Sequence, residues 1–189
     1  QVAPPRERLA THAGRLRLLV LGGSLGAQAL AATLPLALAL LPAEVRPEVR
    51  HQAGVRHVDA ARDAYARARI EARVDAFVDD MAEAYAWADL VVCRAGALTI
   101  AELTTVGAAA ILVPFPHAVD DHQTGNARYL VDAGAALLIP QTELTPTRLA
   151  TSACRLPIEP RHRSKERPGR KPRPFCMVRN VPCYLLFSP

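Results

Sequence analysis

The fold is decided by residues 88–107, which read ADLVVCRAGALTIAELTTVG. The first six residues are mostly apolar and include β-branched side chains, which predicts a buried parallel strand. A turn of small residues around Gly96 follows, and a helix is expected over residues 99–106, ending at Gly107. A strand, a glycine turn and a helix in this order direct backbone N–H groups and the positive end of the helix toward a phosphate. Glu102, about one turn into the helix, is placed to accept hydrogen bonds from ribose hydroxyls.

The same alternation of strands and helices extends outward from this stretch in both directions. It predicts an α/β fold, with a Rossmann-like, doubly wound and mostly parallel sheet that carries helices on both faces. In such a sheet, ligands bind at the carboxyl ends of the strands. Pro35 is expected to kink or divide the first helix. We expect further strands at residues 15–21, 48–52, 73–78, 108–113 and 135–139, further helices at residues 27–41, 57–69, 81–87 and 122–133, and a last helix from Thr145.

Charge is distributed unevenly along this chain of 189 residues, whose formal net charge is +5. Residues 1–150 carry 14 arginines, no lysine and 16 acidic residues, whereas residues 151–189 carry nine basic and two acidic residues. The basic character therefore belongs to the end of the chain. Since the α/β body has no excess of positive charge, it is not expected to bind nucleic acid.

Composition and periodicity divide the chain into three predicted regions. Residues 1–14, with two prolines and several charges, are expected to be a linker, and residues 15–150 to form one domain. Residues 151–189 form an irregular, basic, Pro/Arg-rich tail that is expected to be disordered. Either a natural interaction segment or a shifted reading frame explains the tail. The second explanation is favoured because the helix beginning at Thr145 is abandoned rather than finished.

The sequence gives no indication of a membrane span, a metal site or a bound cofactor. The longest apolar stretch, residues 27–42, contains polar residues and a proline and is too short to cross a bilayer. His117 and His122 lack a third ligand, so no metal is expected. No signal peptide is recognised, and we expect the body of the protein to be cytoplasmic.

Two short motifs at strand ends have two interpretations each. Residues 22–26, GGSLG, lack the pattern of a nucleoside-triphosphate loop and the full spacing of a dinucleotide fingerprint. The backbone there either approaches a phosphate or an acceptor closely, or only forms a tight turn. Residues 51–54, HQAG, end a strand. A polar strand end with a glycine turn is favoured there over side chains that line a cleft.

Three other positions also have a functional and a structural interpretation. Residues 77–81, FVDDM, either wall a base-binding slot with backbone amides for a pyrimidine edge, or pack in the core and cap a helix. Taken singly, core packing is favoured for Phe77 and Met81. Arg94 either forms a buried structural pair or faces a phosphate. Glu102 is either a ribose ligand or an ordinary solvated helix residue.

The most unusual stretch is PFPHAVDDHQTGNA, residues 114–127, at the junction of a strand end and a helix. Gln123 and Asn126 are three residues apart and share one helix face. An amide pair suits sugar hydroxyls because it offers both donors and acceptors. The alternative is a helix capped by Asp120 or Asp121 with a solvated polar face, which does not explain the doubled prolines.

Four of these stretches, in this order, resemble the carboxyl-terminal domain of the MurG family over residues 15–150. These bacterial enzymes are UDP-N-acetylglucosamine:N-acetylmuramyl-(pentapeptide) pyrophosphoryl-undecaprenol N-acetylglucosaminyltransferases with two domains and a GT-B fold. The last two stretches are long and specific. The four are GGSLGAQAL, HQAG, FVDDMAEAYAWADLVVCRAGALTIAEL and PFPHAVDDHQTGNA.

The resemblance implies a role for each matching residue. On the nucleotide side, Ser24 and its loop border the diphosphate and the acceptor, and the backbone of Val78 faces the uracil. The amides around Ala97, Leu98 and Thr99 hold the diphosphate, and Glu102 binds the ribose hydroxyls. On the sugar side, Gln123, with His122 before it, reads the N-acetylglucosamine hydroxyls, Asn126 lies close by, and Arg94 supports the site.

The resemblance also implies an activity and a location. The family transfers N-acetylglucosamine with inversion from UDP-N-acetylglucosamine to lipid I, giving lipid II for peptidoglycan at the inner face of the cell membrane. No metal or cofactor is part of the donor site. The family's acceptor domain and presumed catalytic base lie outside these 189 residues, so no catalytic residue is assigned and transfer by this chain alone is not expected. The alternatives are a non-catalytic nucleotide-sugar-binding module and a related GT-B transferase that uses another UDP-sugar.

Overall fold

The structure, a computed structural model, describes residues 14–23, 27–116 and 121–155. Six parallel strands form one sheet in the order β3-β2-β1-β4-β5-β6. This is the strand order of a doubly wound dinucleotide-binding fold. The expected α/β, Rossmann-like fold is therefore confirmed. The strands are β1 Arg17–Leu21, β2 Glu48–Gln52, β3 Arg73–Asp75, β4 Leu90–Cys93, β5 Ala109–Leu112 and β6 Ala136–Leu138.

Within the described residues, six α-helices connect these strands or follow them, three on each face of the sheet. The helices are α1 Gln28–Ala39, α2 Val58–Arg67, α3 Met81–Trp87, α4 Ala97–Val106, α5 His122–Asp132 and α6 Pro146–Arg155, with short 3₁₀ turns at Ala43–Val45 and Gln141–Glu143. Helices α1, α2 and α6 cover one face, and α3, α4 and α5 cover the other.

The sheet is buried on both faces, as its apolar strands predict. In β1, Leu18 and Val20 pack with α1 and α2, whereas Leu19 and Leu21 pack on the opposite side with α3 and α4. Both faces of a doubly wound sheet are covered by crossover helices, so the central strands β4 and β5 are apolar throughout, whereas β2 and the edge strand β3 carry polar and charged residues. The two hydrophobic cores of the domain lie on either side of this one sheet.

The register of the central strands brings their carboxyl ends to one edge. Leu21 of β1 pairs with Gln52 of β2 and with Cys93 of β4, and Cys93 pairs in turn with Leu112 of β5. The loops that follow these four strands therefore begin at the same level. The strand order reverses between β1 and β4, which is where ligands bind in open sheets of this kind.

Several helix boundaries follow the sequence signals. Asp80 accepts a hydrogen bond from the Glu83 N–H at 2.8 Å and so caps α3. The Oγ1 atom of Thr145 accepts from the Arg148 N–H at 3.1 Å at the start of α6. Gly107 ends α4 in the left-handed conformation, with φ of 62°, which favours glycine.

Pro35 lies inside α1 without dividing it, because Leu34 and Leu38 on either side of it pack in the core and hold the helix. Of the two expected effects of Pro35, a kink or a division of the helix, the division is therefore wrong. Within the described ranges no helix is both long and apolar enough to cross a membrane.

The last helix is longer than expected. It continues to Arg155, five residues past the predicted domain boundary at residue 150, and its Ala153 and Cys154 are buried. The helix predicted to be abandoned is thus extended, because its apolar face packs on α1 and the sheet. The predicted linker at residues 1–14 lies almost wholly outside the described residues, as does the predicted tail beyond Arg155.

His51, near the end of β2, has its side chain buried in the core. Its Nδ1 atom is 3.0 Å from the Tyr65 hydroxyl. The two rings meet edge to face with centroids 5.7 Å apart. Burial lowers the pKa of His51 to about 4, because the core disfavours the charged imidazolium.

Acidification is expected to destabilise the domain through His51. Between about pH 6.5 and pH 4 the unfolded chain binds a proton that folded His51 does not, so the free energy of unfolding falls by up to about 1.4 kcal/mol per pH unit. This stability is fully present above the unfolded pKa. Urea unfolding at several pH values should show a steeper fall for the wild-type chain than for His51→Gln. Equal slopes for the two proteins would show that His51 is not the responsible group.

Candidate functional site

The candidate ligand-binding residues that the structure describes lie at the carboxyl edge of the sheet. The loops after β1, β3, β4 and β5 all open there, and α4 and α5 begin there. The structure does not describe residues 24–26, which include Ser24, or residues 117–120.

A buried glutamine ties two of these loops together. The Gln52 side chain accepts from the Gly23 N–H at 3.0 Å and donates to the Gly23 carbonyl at 3.2 Å and to the Ala76 carbonyl at 2.9 Å. Its backbone carbonyl accepts from the Gly22 N–H at 2.8 Å. Gly23 has a φ of 77°, so a glycine suits this turn. Gln52 therefore holds the start of the glycine loop against the segment that follows β3.

Sequence reasoning missed this role of Gln52. The HQAG motif was interpreted as a polar strand end with a glycine turn, which fits the end of β2 at Gln52 and the φ of 78° at Gly54 but does not describe the contacts of Gln52 with two loops. The available signal was an amide side chain at the end of a buried strand, beside a glycine loop. An amide can satisfy donors and acceptors of two backbone segments at once. Only the register of β1 and β2 shows which segments these are.

The segment after β3 borders an open cleft of ≈ 210 Å³. Strand β3 ends at Asp75, three residues earlier than expected, so Val78 lies in a loop and not in the sheet. Phe77 is 58% exposed, which overturns its expected core packing, whereas Met81 packs on the core. The cleft is lined by Arg50, Gln52, Asp75, Phe77, Val78 and Glu83, among others.

Charged groups on the wall of this cleft are paired with each other. The Nη1 atom of Arg50 lies 2.8 Å from a carboxylate oxygen of Glu83, and its guanidinium carbon is 4.2 Å from the centroid of the Trp87 ring. Arg73 pairs with Asp75 at 2.7 Å. The two pairs neutralise each other, but Asp79 and Asp80 also line the cleft, so its wall carries an excess of negative charge.

The start of α4 is exposed at the carboxyl end of β4. The helix begins at Ala97, two residues earlier than predicted, and both Ala97 and Leu98 are exposed while Thr99 is half-buried. The first N–H groups of a helix have no acceptor within it and carry its positive dipole. Gly96, which precedes them, contributes no side chain that would cover them. This arrangement can bind an anion.

Glu102, one turn further along α4, is held by a buried tyrosine. The Tyr85 hydroxyl donates to Glu102 Oε2 at 2.9 Å. Tyr85 lies on α3 and is buried in the core, while Glu102 is exposed. Burial, followed by the hydrogen bond to Glu102, raises the pKa of Tyr85, so its hydroxyl stays protonated as a donor. Sequence reasoning did not identify Tyr85.

Arg94 supports the loop after β5. It donates through Nη1 to the carbonyls of Val113 at 3.1 Å and Pro114 at 3.2 Å, and through Nη2 to Gln141 Oε1 at 2.6 Å. Its guanidinium carbon lies 5.5 Å from the centroid of the Phe115 ring. Burial lowers the pKa of Arg94. The contacts favour the structural interpretation of Arg94, with Gln141 as a partner that sequence reasoning did not find.

The two amides of α5 connect it to neighbouring loops. Gln123 Oε1 accepts from the Phe115 N–H at 2.9 Å, and Asn126 Nδ2 donates to the Ala95 carbonyl at 3.1 Å. Each amide keeps its second polar atom for another partner. His122 is exposed at the start of this helix. The structure therefore places Gln123 and Asn126 against the turns that follow β5 and β4.

Of the two aspartates expected to cap α5, the structure describes only Asp121, and its side chain does not cap the helix. Asp121, whose φ of 51° is left-handed, accepts from the Thr124 hydroxyl at 2.6 Å and makes no side-chain cap. Asp120 lies outside the described residues. In the part of the chain that the structure describes, no three His, Cys, Asp or Glu residues are grouped as metal ligands.

Comparison with known proteins gives one consistent result. Residues 17–169 match the family model described as "Glycosyltransferase family 28 C-terminal domain". A Dechloromonas aromatica protein is 60% identical over 149 residues, which are 79% of this chain and 42% of that protein. One from Chromohalobacter salexigens is 64% identical over 156 residues, 82% of this chain and 43% of that protein. Both relatives are named "UDP-N-acetylglucosamine--N-acetylmuramyl-(pentapeptide) pyrophosphoryl-undecaprenol N-acetylglucosamine transferase".

Solved structures agree with these relatives. The crystal structure of Acinetobacter baumannii MurG has a TM-score of 0.73 and 45% identity, covering 78% of this chain and 43% of its own. The glycosyltransferase VinC in complex with dTDP, at 22% identity and a TM-score of 0.56, covers 82% of this chain and 36% of its own and shares the fold. The chain thus spans about two fifths of the length of the curated relatives that it matches.

Replacing Gln52 by leucine is expected to destabilise the domain by about 1–3 kcal/mol, because three part-buried hydrogen bonds to Gly23 and Ala76 are lost. Urea unfolding measures this change. The matched control is Gln28→Leu at an exposed position, with an expected effect within about 0.5 kcal/mol. Equal effects of the two substitutions would contradict the bridging role of Gln52.

Proposed function

The chain belongs to the family of glycosyltransferase family 28 C-terminal domains, and from this premise we propose that it is the donor-binding half of a bacterial cell-wall N-acetylglucosaminyltransferase. The donor is UDP-N-acetylglucosamine, and the complete enzyme transfers its sugar with inversion to lipid I, giving lipid II for peptidoglycan. One observation carries the proposal. The exposed start of α4 and the carboxylate of Glu102 lie about one helical turn apart at the carboxyl edge of the sheet.

The spacing on α4 suits a nucleoside diphosphate. The N–H groups of Ala97, Leu98 and Thr99 bind the diphosphate at the positive end of the helix. Glu102 follows Thr99 by three residues, a rise of about 4.5 Å along the helix axis. A ribose attached to that diphosphate places its hydroxyls beside the carboxylate. Glu102 thus recognises the ribose of the nucleotide, while the start of α4 binds the negatively charged diphosphate.

The uracil and the transferred sugar bind on either side of the start of α4. The loop at Val78 leaves the sheet before this residue, so its backbone amide and carbonyl are available to the edge of a uracil. On the other side, Gln123 Oε1 is occupied by the Phe115 N–H, which leaves the amide NH₂ as a donor to a hydroxyl of N-acetylglucosamine. His122 contacts the sugar beside it, and Asn126 holds α5 in place.

The chemistry divides between this domain and an acceptor domain. In inverting transfer an acceptor hydroxyl attacks C1 of the sugar, the bond from C1 to the diphosphate oxygen breaks, and a base takes the hydroxyl proton. The residues at the start of α4 stabilise the negative charge that develops on the departing diphosphate. The base and the lipid I site belong to the acceptor domain. The complete enzyme works at the inner face of the cell membrane, where its lipid acceptor lies.

Calorimetric titration of the 189-residue chain with UDP-N-acetylglucosamine, UDP-glucose and UDP tests the proposal. Binding that prefers the N-acetyl sugar supports it. Binding of UDP with a preference for another sugar would assign the chain to a different UDP-sugar transferase. A folded sample that binds none of the three would overturn the proposal.

Glu102→Ala is expected to weaken UDP binding by about 1.5–3 kcal/mol, the range for losing hydrogen bonds to a charged group. The same titration measures it. Glu71→Ala is the matched control, because Glu71 is an exposed glutamate in the connection between α2 and β3. Unchanged affinity in Glu102→Ala would mean that Glu102 is an ordinary surface residue of the helix.

A further inference from the structure

Tyr85 and Glu102 form a contact between the core and the surface. Tyr85 is 2% exposed on α3, and its hydroxyl reaches across to Glu102 Oε2 on α4 at 2.9 Å. The phenol ring packs in the same core as Ile100 and Leu103 of α4. An exposed carboxylate is thus bonded to a side chain that the core holds in place.

This contact reduces the freedom of the carboxylate before any ligand arrives. A free glutamate on a helix samples several rotamers, and ordering such a side chain on binding costs free energy. The ring of Tyr85 is fixed by its packing, so its hydroxyl selects the Glu102 conformers that bring Oε2 to it. Glu102 is therefore ordered in the absence of ligand.

The bond also leaves acceptor capacity for a ligand. An ionised carboxylate has about four lone-pair sites, and Tyr85 uses one of them. Oε1 and the second lone pair of Oε2 remain for the two hydroxyls of a ribose. The phenol can satisfy Glu102 without competing for the sugar, because it approaches from the core.

We propose that Tyr85 is a positioning residue, which holds the Glu102 carboxylate in the orientation that accepts the ribose hydroxyls of the nucleotide. This inference rests on the proposed donor-binding function. It predicts that Tyr85 contributes to nucleotide affinity only through Glu102. A purely structural tyrosine would contribute to stability and would affect affinity independently of Glu102, or not at all.

The chain provides a matched control in Tyr65. This tyrosine is also 2% exposed, and its hydroxyl also has one side-chain partner, the buried His51 at 3.0 Å. It lies in the core on the opposite face of the sheet. Tyr65→Phe therefore removes a comparable buried hydroxyl far from Glu102.

The test is a double-mutant cycle on the 189-residue chain, with UDP titrated into the wild type, Tyr85→Phe, Glu102→Ala and the double variant. Tyr85→Phe is expected to weaken UDP binding roughly three- to tenfold, because the freed Glu102 side chain must then be ordered when the nucleotide binds. In the Glu102→Ala background the same change is expected to alter affinity less than about twofold. Tyr65→Phe should leave UDP affinity unchanged while lowering the unfolding temperature.

A second ligand isolates the ribose. The wild type is expected to prefer UDP over 2′-deoxy-UDP, because the deoxy sugar leaves a lone pair of Glu102 without its hydroxyl partner. Tyr85→Phe should reduce this preference, and Tyr65→Phe should keep it.

The outcomes separate this inference from the proposed function. A folded wild type that does not bind UDP would overturn both. If the wild type binds UDP and Glu102→Ala weakens it, but Tyr85→Phe has no effect or has the same effect in both backgrounds, the positioning role alone is wrong.

Discussion

The parallel pairing of β1 with both β2 and β4 is the constraint on which the site depends. Leu21 is in register with Gln52 on one side and with Cys93 on the other, so three strands end at one level. Their loops then face the same space, although up to 72 residues separate their sequences. Because β1 is buried on both faces, the burial of apolar surface stabilises this pairing from two sides.

A layer of buried and half-buried polar side chains turns this shared edge into a defined site. Gln52 joins the glycine loop to the segment before Val78, Arg94 holds the loop after β5, Asn126 ties α5 to the turn after β4, and Tyr85 orders a carboxylate. Loss of any of these side chains is expected to disturb the site even if the side chain does not itself contact a ligand. Ligand groups on loops are precise only when supporting hydrogen bonds limit their movement.

The sequence was most informative where local chemistry decides structure, and least where distant segments compete. The cap at Asp80 and the glycine end of α4 at Gly107 depend on neighbours within a few residues, and both were predictable. The core packing of Phe77 and the division of α1 at Pro35 were wrong. The length of β3 and the packing of α1 against α6 decide those two features, and neither is local.

By itself, the sequence determined the order of strands and helices, the parallel sheet and the candidate ligand groups, because hydrophobic period, capping residues and glycine turns act over short distances. Only the tertiary structure decided which polar groups work together. His51 and Gln52 are adjacent in sequence, but in the tertiary structure His51 contacts Tyr65 in the core and Gln52 bonds to the glycine loop. The tertiary structure also joined Tyr85 to Glu102 across two helices. Such pairs depend on the register and packing of separate elements, which no local pattern encodes.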